Sequence, residues 1–440
     1  MKPKVAFHTV GCKLNFAETN AIGEDFLRRG YEIVDFSEKA DVYFINTCTV
    51  TENAERECRQ VVRRALRKNP NAFVAVTGCY AQVRPQEIAA IEGVDVILGA
   101  EEKFSLFEKF DTLEKQNLSC VYVSPIDSVE DFHSAFSTEA NSRTRAFFKI
   151  QDGCDYVCTY CTIPMARGKS RSMPLENLIE EFRKLVDFGY KEIILTGVNV
   201  GDYGKNINTN LYEALEKMIL VPGDFRIRIS SIEPNLLSDD ILKLTAESEK
   251  LSKHFHIPLQ SGSDNVLKLM QRRYNARFYE ELIYRAKEII PDLGIGVDVI
   301  VGTPGETEKD FLITYELLQK LPISYLHVFT YSERPGTKAL AITPKVPLRE
   351  RKRRNKVLRE LSEHKRREFY ESMIGKNAVV LFEERNDEGK IKGFTSNYVR
   401  VEHAFNSDLV NQLVNVKISG VKDNVCSVEL IEKETKKLAI

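Results

Sequence analysis

The chain has 440 residues, 43% hydrophobic and 29% charged, with a formal net charge of −1. That is an ordinary globular composition, long enough for about three domains, and its neutrality excludes a globally basic nucleic-acid binder, so contact with a polyanion must be local. No apolar run approaches bilayer length and Met1-Lys2-Pro3-Lys4 opens no signal peptide, so no membrane association and a cytoplasmic location are expected.

Residues 1–120 alternate strand-like and helix-like patterns. Strands are predicted over 4–9, 42–46 and 73–77, and helices over 16–29 and 53–68. This alternation points to an α/β, doubly wound parallel sheet. Gly11-Cys12, Thr47-Cys48 and Gly78-Cys79 each follow a strand. Loops after parallel strands share one sheet edge, so three cysteines far apart in sequence are expected to converge there. Nine cysteines, an odd number without an export signal, favour metal or redox use over disulfides. Cys58, inside the charged helix, and Cys120, near a boundary, read as bystanders. Residues 111–145 read as the end of this domain plus a linker.

The next segment is Gln151-Asp152-Gly153-Cys154-Asp155-Tyr156-Val157-Cys158-Thr159-Tyr160-Cys161. Three thiols at this spacing suit three corners of a cubane iron–sulfur cluster. Structural zinc wants a fourth ligand, and none follows nearby; His254 and His256 lie about a hundred residues on. The loop, with Tyr160 before its last cysteine, resembles that of the radical S-adenosylmethionine (SAM) enzymes. The resemblance implies a [4Fe–4S] cluster on Cys154, Cys158 and Cys161 whose open iron binds SAM.

Six strand–helix units are predicted, with strands at 146–150, 192–196, 226–230, 255–258, 295–301 and 325–329, giving a partial (βα)6 barrel over residues 140–370. Polar, Gly-containing loops follow the strands, at the rim where barrels gather chemistry. Glu233 is a candidate for the SAM ribose hydroxyls or sulfonium, and Asn199 for the same work without charge. Arg272 and Arg273 suit the methionyl carboxylate or, equally, a solvated helix face. Tyr160 and the backbone of residues 302–304, ending at Pro304, are candidates to flank adenine.

Residues 345–367 carry eleven Lys/Arg against three Glu, with Leu348, Val357, Leu358 and Leu361 on an apolar side. This is a long helix with a basic face, either a solvated linker or an electrostatic platform for phosphates. Residues 373–440 change to short strands, at 377–382, 398–401, 413–418 and 426–430, with turns at Gly389, Gly393 and Gly420. A small β-barrel of the single-strand-binding kind is expected. Phe394, Tyr398 and Arg400 are stacking and phosphate candidates or core.

The order of parts resembles the methylthiotransferases: an N-terminal domain with three separated cysteines, a radical SAM barrel and a C-terminal TRAM domain. The residues that carry it are Gly11-Cys12-Lys13-Leu14-Asn15, Asn46-Thr47-Cys48-Thr49-Val50, Thr77-Gly78-Cys79-Tyr80-Ala81, and the triad loop continuing to Ile163-Pro164-Met165-Ala166-Arg167-Gly168. The first two segments look most like the branch acting on N6-threonylcarbamoyladenosine at tRNA position 37. The resemblance implies a second [4Fe–4S] cluster on Cys12, Cys48 and Cys79 that holds the sulfur to be inserted. It implies SAM as methyl donor and radical source, hydrogen removal from carbon 2 of the adenine, and 2-methylthio-N6-threonylcarbamoyladenosine as product. The implied partner is the tRNA anticodon loop, with its target base unstacked; an electron donor, a flavodoxin-like reductant, and a sulfur source are also needed, and the sequence names neither. Alternatives are the isopentenyladenosine branch, the ribosomal-protein aspartate branch, a radical SAM enzyme without sulfur insertion, and a non-catalytic iron–sulfur RNA-binding protein.

Overall fold

The structure, a computed structural model, describes residues 2–48, 52–138, 144–385 and 389–431. Thr49 and Val50 of the second cysteine segment, the expected barrel start at residue 140 and residues 432–440 lie outside the described residues.

The N-terminal sheet has six parallel strands: β1 (Lys4–Thr9), β2 (Glu32–Val34), β3 (Val42–Thr47), β4 (Phe73–Gly78), β5 (Val96–Leu98) and β6 (Cys120–Tyr122). Their spatial order is β2-β1-β3-β4-β5-β6. Strands β3 and β4 are buried along their whole length between two apolar layers, which is why they read as unbroken apolar runs. The chain steps one way from β1 to β2 and then back past β1 to β3. That reversal opens a crevice at the carboxyl ends of β1 and β3.

Residues 111–145 do end the first domain, with β6 completing its sheet, but the part expected to be a linker carries β7 (Ala135–Thr138), antiparallel to β8 (Arg145–Lys149). A short hairpin of β9 (Gln151–Asp152) and β10 (Arg171–Ser172) brackets the cysteine loop. The arc of parallel strands continues through β11 (Glu192–Thr196), β12 (Arg226–Ile229), β13 (His254–His256), β14 (Gly294–Val301) and β15 (Tyr325–Thr330). Isolated bridges Ile227↔Leu251 and Ser231↔His256 join its two halves. With β8 these are the six expected parallel strands. Alternate residues face outward into one apolar core that includes Phe148, Ile193, Ile227, Phe255 and Val297. The others place Arg145, Glu192, Arg228, His256 and Asp298 on the opposite, polar face.

The C-terminal strands β16 (Asn377–Arg385), β17 (Lys390–Thr395), β18 (Arg400–Ala404), β19 (Leu413–Lys422) and β20 (Val425–Leu430) close a barrel in the order β16-β17-β18-β20-β19. Gly393 lies inside β17, not at a turn, because a Cβ there would come within 2.4 Å of the Leu381 carbonyl oxygen on the paired strand. Gly420 marks a register shift in β19. The barrel docks on the starts of β11 and β12. Buried Glu192 holds Arg145, Arg226 and Arg228, and the last two donate to the Phe394 and Ser396 carbonyl oxygens at 3.1 and 3.3 Å. Phe394 and Tyr398 stack at 4.7 Å beneath Arg145 and Arg228. They are therefore committed to this interface, and of the three candidates only Arg400 is exposed.

The basic helix runs over Leu348–Glu371. Arg351, Arg354 and Lys365 are buried in it. Arg354 pairs with Glu306 at 2.7 Å and Arg351 with Glu333 at 2.6 Å, so part of the charge holds the helix on the barrel. Arg359 and Arg366 instead line a groove of about 640 Å³ beside β15, with His327 and Phe329.

Candidate metal centres and cofactor cavity

The loop that carries Cys154, Cys158 and Cys161 is fixed at both ends. The Cys154 amide donates to the Gly168 carbonyl oxygen at 3.0 Å, and the Thr159 amide to that of Met270 at 3.1 Å. Gly153 turns the chain into it at φ +69°, and a Cβ there would lie 1.9 Å from the Lys169 carbonyl oxygen, so no side chain fits. Backbone N–H groups of Tyr156 and Ile163 point at the Cys154 and Cys161 sulfurs, each at 3.4 Å. Burial pushes the Cys154 thiol up to about 11 and Cys161 up to about 12, and raises Cys158. Three desolvated thiols held together are poor thiolates alone but suitable ligands to a cation that replaces their protons.

The three cysteines line a cavity of about 350 Å³ with Tyr160, Asn199, Glu233 and Arg272. Buried Asn199 Oδ1, Gln260 Oε1 and Tyr331 Oη on its wall have no hydrogen-bond partner among the described residues, as expected of a pocket shaped for a polar ligand. Arg272 pairs with Glu233 and donates to Cys158 Sγ at 3.2 Å. It is thus packed into the site rather than solvated. Arg273 turns aside, 3.8 Å from the Tyr156 ring centroid and bonded to the Asp155 carbonyl oxygen. Pro304 lies in a small space behind Tyr160, outside this cavity wall. Gln260, Asp298, Tyr331 and Arg334 belong to the wall but were not singled out from the sequence. His256 is engaged on both ring nitrogens, by Ser231 Oγ at 2.6 Å and Asp298 Oδ1 at 2.8 Å. With His327 they form a close group that links the cavity to the inside of the arc.

Cys12, Cys48 and Cys79 leave β1, β3 and β4, three adjacent strands, at one edge. Strand spacing places them within about 10 Å across the sheet. A Cβ at Gly11 would stand 3.1 Å from Cys48 Sγ, so the first loop touches the second cysteine directly. Cys12 is exposed; Cys48 and Cys79 are buried. The Asn15 side chain ties the loops together by donating to the Val10 and Thr47 carbonyl oxygens at 2.9 and 3.0 Å.

One side chain, unassigned from the sequence, joins the two sets. Arg167 ends the short helix Ile163–Arg167 that follows the cysteine loop. It donates to Asn15 Oδ1 at 2.7 Å, Glu18 Oε1 at 2.9 Å and Asp152 Oδ1 at 2.9 Å. Lys103 and Lys149 complete a buried cluster, at 2.7 and 3.2 Å from Glu18. Burial raises the Glu18 pKa, but Arg167, Lys103 and Lys149 more than reverse this and hold the carboxyl below its usual range. Three cations face two carboxylates, and Arg171 adds a fourth at 3.8 Å from Asp152. The surplus positive charge lies beside Cys79, whose thiol burial raises and Arg167 lowers. A cubane on three thiolates is net anionic, so this donor set and its surroundings fit one.

Lys13, next to Cys12, points the other way. It is solvent-accessible, yet its ammonium is 5.4 Å from the Phe147 ring centroid, inside the arc. Burial, then Arg228, push its pKa down to about 8.

Residues 148–318 match the Radical SAM superfamily, and residues 4–99 an uncharacterized protein family, UPF0004. The threonylcarbamoyladenosine tRNA methylthiotransferase MtaB of Aquifex aeolicus (strain VF5) is 42% identical over 418 residues, 94% of this chain and 100% of its own length. The protein of that name from Bacillus subtilis (strain 168) is 40% identical, over 94% of this chain and 93% of its own. The tRNA-2-methylthio-N(6)-dimethylallyladenosine synthase of Fusobacterium nucleatum subsp. nucleatum is 33% identical over 95% and 98%. Among solved structures, the radical SAM methyltransferase TsrM of Kitasatospora setae superposes with a TM-score of 0.56 over 77% of each chain at 16% identity, a likeness of fold. No helix among the described residues is long and apolar enough to cross a membrane. Near-full-length identity with the MtaB proteins, over a radical SAM barrel joined to a cysteine-bearing parallel sheet, places this chain in the threonylcarbamoyladenosine tRNA methylthiotransferase family of radical SAM enzymes.

Proposed function

We propose that this enzyme inserts a methylthio group at carbon 2 of N6-threonylcarbamoyladenosine at position 37 of tRNA. The observation that carries the reading is the identity with the MtaB proteins over 94% of the chain, together with two cysteine trios on either side of Arg167. Radical SAM enzymes use a [4Fe–4S] cluster with SAM; Cys154, Cys158 and Cys161 would hold it, with SAM beside Asn199, Glu233 and Tyr160. Cys12, Cys48 and Cys79 would hold a second cluster. Bound there, the two clusters and SAM supply one-electron chemistry and a transferable sulfur, which an unactivated ring carbon requires.

The chain's own residues exclude water, fix the thiols and place the base. Arg272 carries one charge-assisted hydrogen bond to Cys158 and one to Glu233, so it orients a cysteine and a cavity carboxylate together. The Arg167 cluster locks the first sheet onto the barrel, which keeps the two trios in register. The domains read as a cysteine-bearing sheet extended from residue 120 to Tyr122, a barrel with its basic helix to about residue 370, and a TRAM-like barrel from 373. The anticodon loop would approach along Arg359 and Arg366, and a cytoplasmic setting follows from that substrate.

Nucleoside mass spectrometry of tRNA from a strain lacking the gene tests the assignment. Disappearance of 2-methylthio-N6-threonylcarbamoyladenosine, with the unthiolated nucleoside in its place, is expected. Loss of 2-methylthio-isopentenyladenosine instead would move the chain to the neighbouring branch.

A further inference from the structure

Lys13 is a cation without a carboxylate. Among the described residues it has no hydrogen bond and no ion pair. The carboxylate whose charge acts on it, Glu192, is already shared by Arg145, Arg226 and Arg228. Asp298 is paired to His256 at 2.8 Å. The Lys13 side chain is solvent-accessible, but it faces the inside of the arc. It reaches in from the start of the helix Lys13–Arg28 to stand over Phe147 of β8, with Arg228 of β12 and His327 of β15 as electrostatic neighbours. His327 stands with His256 and Asp298, and Asp298 lines the cavity of Cys154, Cys158 and Cys161. Lys13 therefore sits within the arc, one residue from Cys12 and one layer from the cofactor cavity. An accessible ammonium with no carboxylate partner is free to take an anion, and a charge-assisted pair is the stronger kind of hydrogen bond.

The substrate class named by the relatives has such an anion. Threonine joined through its amine to a carbamoyl group keeps a free carboxylate, ionised at neutral pH. We infer that Lys13 pairs with the threonyl carboxylate of the target base and so selects threonylcarbamoyladenosine over adenosine carrying a neutral N6 group. Two features add to the pairing. Cys12 offers the helix Lys13–Arg28 no side-chain cap, so the positive end of the helix dipole beside Lys13 carries no capping side chain. Phe147 and Phe329 offer apolar surface for a base. The two arginines that share Glu192 with Arg145 donate to C-terminal barrel carbonyl oxygens, so neither is free to turn to a ligand as Lys13 is. The inference rests on the substrate reading above and assigns it a residue.

The test uses the anaerobically reconstituted full chain and three anticodon stem-loop RNAs. One carries N6-threonylcarbamoyladenosine, one the same group with its carboxylate converted to the methyl amide, and one plain adenosine. A charge-assisted pair in this setting should favour the acid over the amide by about 10- to 100-fold in Kd. Lys13→Met should erase that ratio while leaving binding of the plain-adenosine RNA and the iron content unchanged, and Lys13→Arg should keep most of it. Equal binding of acid and amide by the parent protein overturns the pairing without any variant having to fold. An undiminished ratio in Lys13→Met assigns the carboxylate to another group and also overturns it. If the parent instead binds the threonylcarbamoyl and plain-adenosine RNAs equally and forms no methylthio product, the substrate reading itself fails.

Discussion

Removing the Arg167 guanidinium tests how the two cysteine-bearing parts are held together. Arg167 makes four charge-assisted hydrogen bonds, two to Glu18, one to Asp152 and one to Asn15, and the residues around it are buried. Arg167→Met keeps most of the apolar stem and deletes the fork. Charge alone does not decide the outcome, since Lys103 and Lys149 still balance Glu18 and Asp152. What is lost is the strongest donor at each acceptor: Asn15 Oδ1 is left with only the Cys12 thiol at 3.8 Å, while Glu18 and Asp152 keep Lys103, Lys149 and the Gly153 amide but lose the fork that ties them to each other across the joint. Breaking one partner out of a buried ionic cluster costs about 3–5 kcal/mol. Urea unfolding of the anaerobic protein, followed by hydrogen exchange in residues 13–28, should show the first transition destabilised by about that amount. Arg167→Lys should recover less than half, because one ammonium cannot span Glu18, Asp152 and Asn15 together. A double-mutant cycle with Glu18→Gln should give a coupling of about 1–3 kcal/mol. A variant within about 0.5 kcal/mol of the parent, with no coupling, would refute the claim that this cluster is the joint.

The same joint carries a pH dependence. Glu18 and Asp152 have folded pKa values held below their ordinary ones, so their contribution is complete above the unfolded carboxylate pKa, about 4. It is lost as pH falls through the depressed folded values. Acid titration should leave protection of residues 13–28 flat down to about pH 4 and falling below it, and Glu18→Gln should flatten most of that fall. Glu192→Gln deprives three buried arginines of their shared carboxylate and should destabilise docking of the C-terminal barrel by about 3–5 kcal/mol, read as faster proteolysis around residues 372–377. Gly153→Ala places a Cβ 1.9 Å from a carbonyl oxygen; the cysteine loop must shift, and iron after reconstitution should fall from about eight to about four per chain.

Much of this fold is legible in the residues because strands β3, β4, β11 and β14 are largely apolar and the cysteines punctuate strand ends. The six barrel strands lie within a residue or two of their predicted positions. The elements that escape are short or polar. Strand β2 is three exposed or half-buried residues, β7 lies in a polar stretch, and Gly393 of β17 mimics a turn while serving a close strand approach. At the site, spacing marks the thiols, but pairing decides the rest. Arg167 and Lys13 stand within the quoted cysteine segments, and nothing in their spacing says that one is fully paired and the other not. Arg272 reads as a helix-face residue until its contact with Cys158 is seen, whereas Arg273, its neighbour, stacks on Tyr156.

The central claim is that two separate trios of thiols each hold a cluster. Iron quantitation after anaerobic reconstitution tests it most directly, on the parent and on two triple alanine variants, one at Cys12, Cys48 and Cys79, the other at Cys154, Cys158 and Cys161. The account predicts about eight irons in the parent and about four in each variant. A parent that binds only about four irons, or a first variant that still binds as many as the parent, would contradict it.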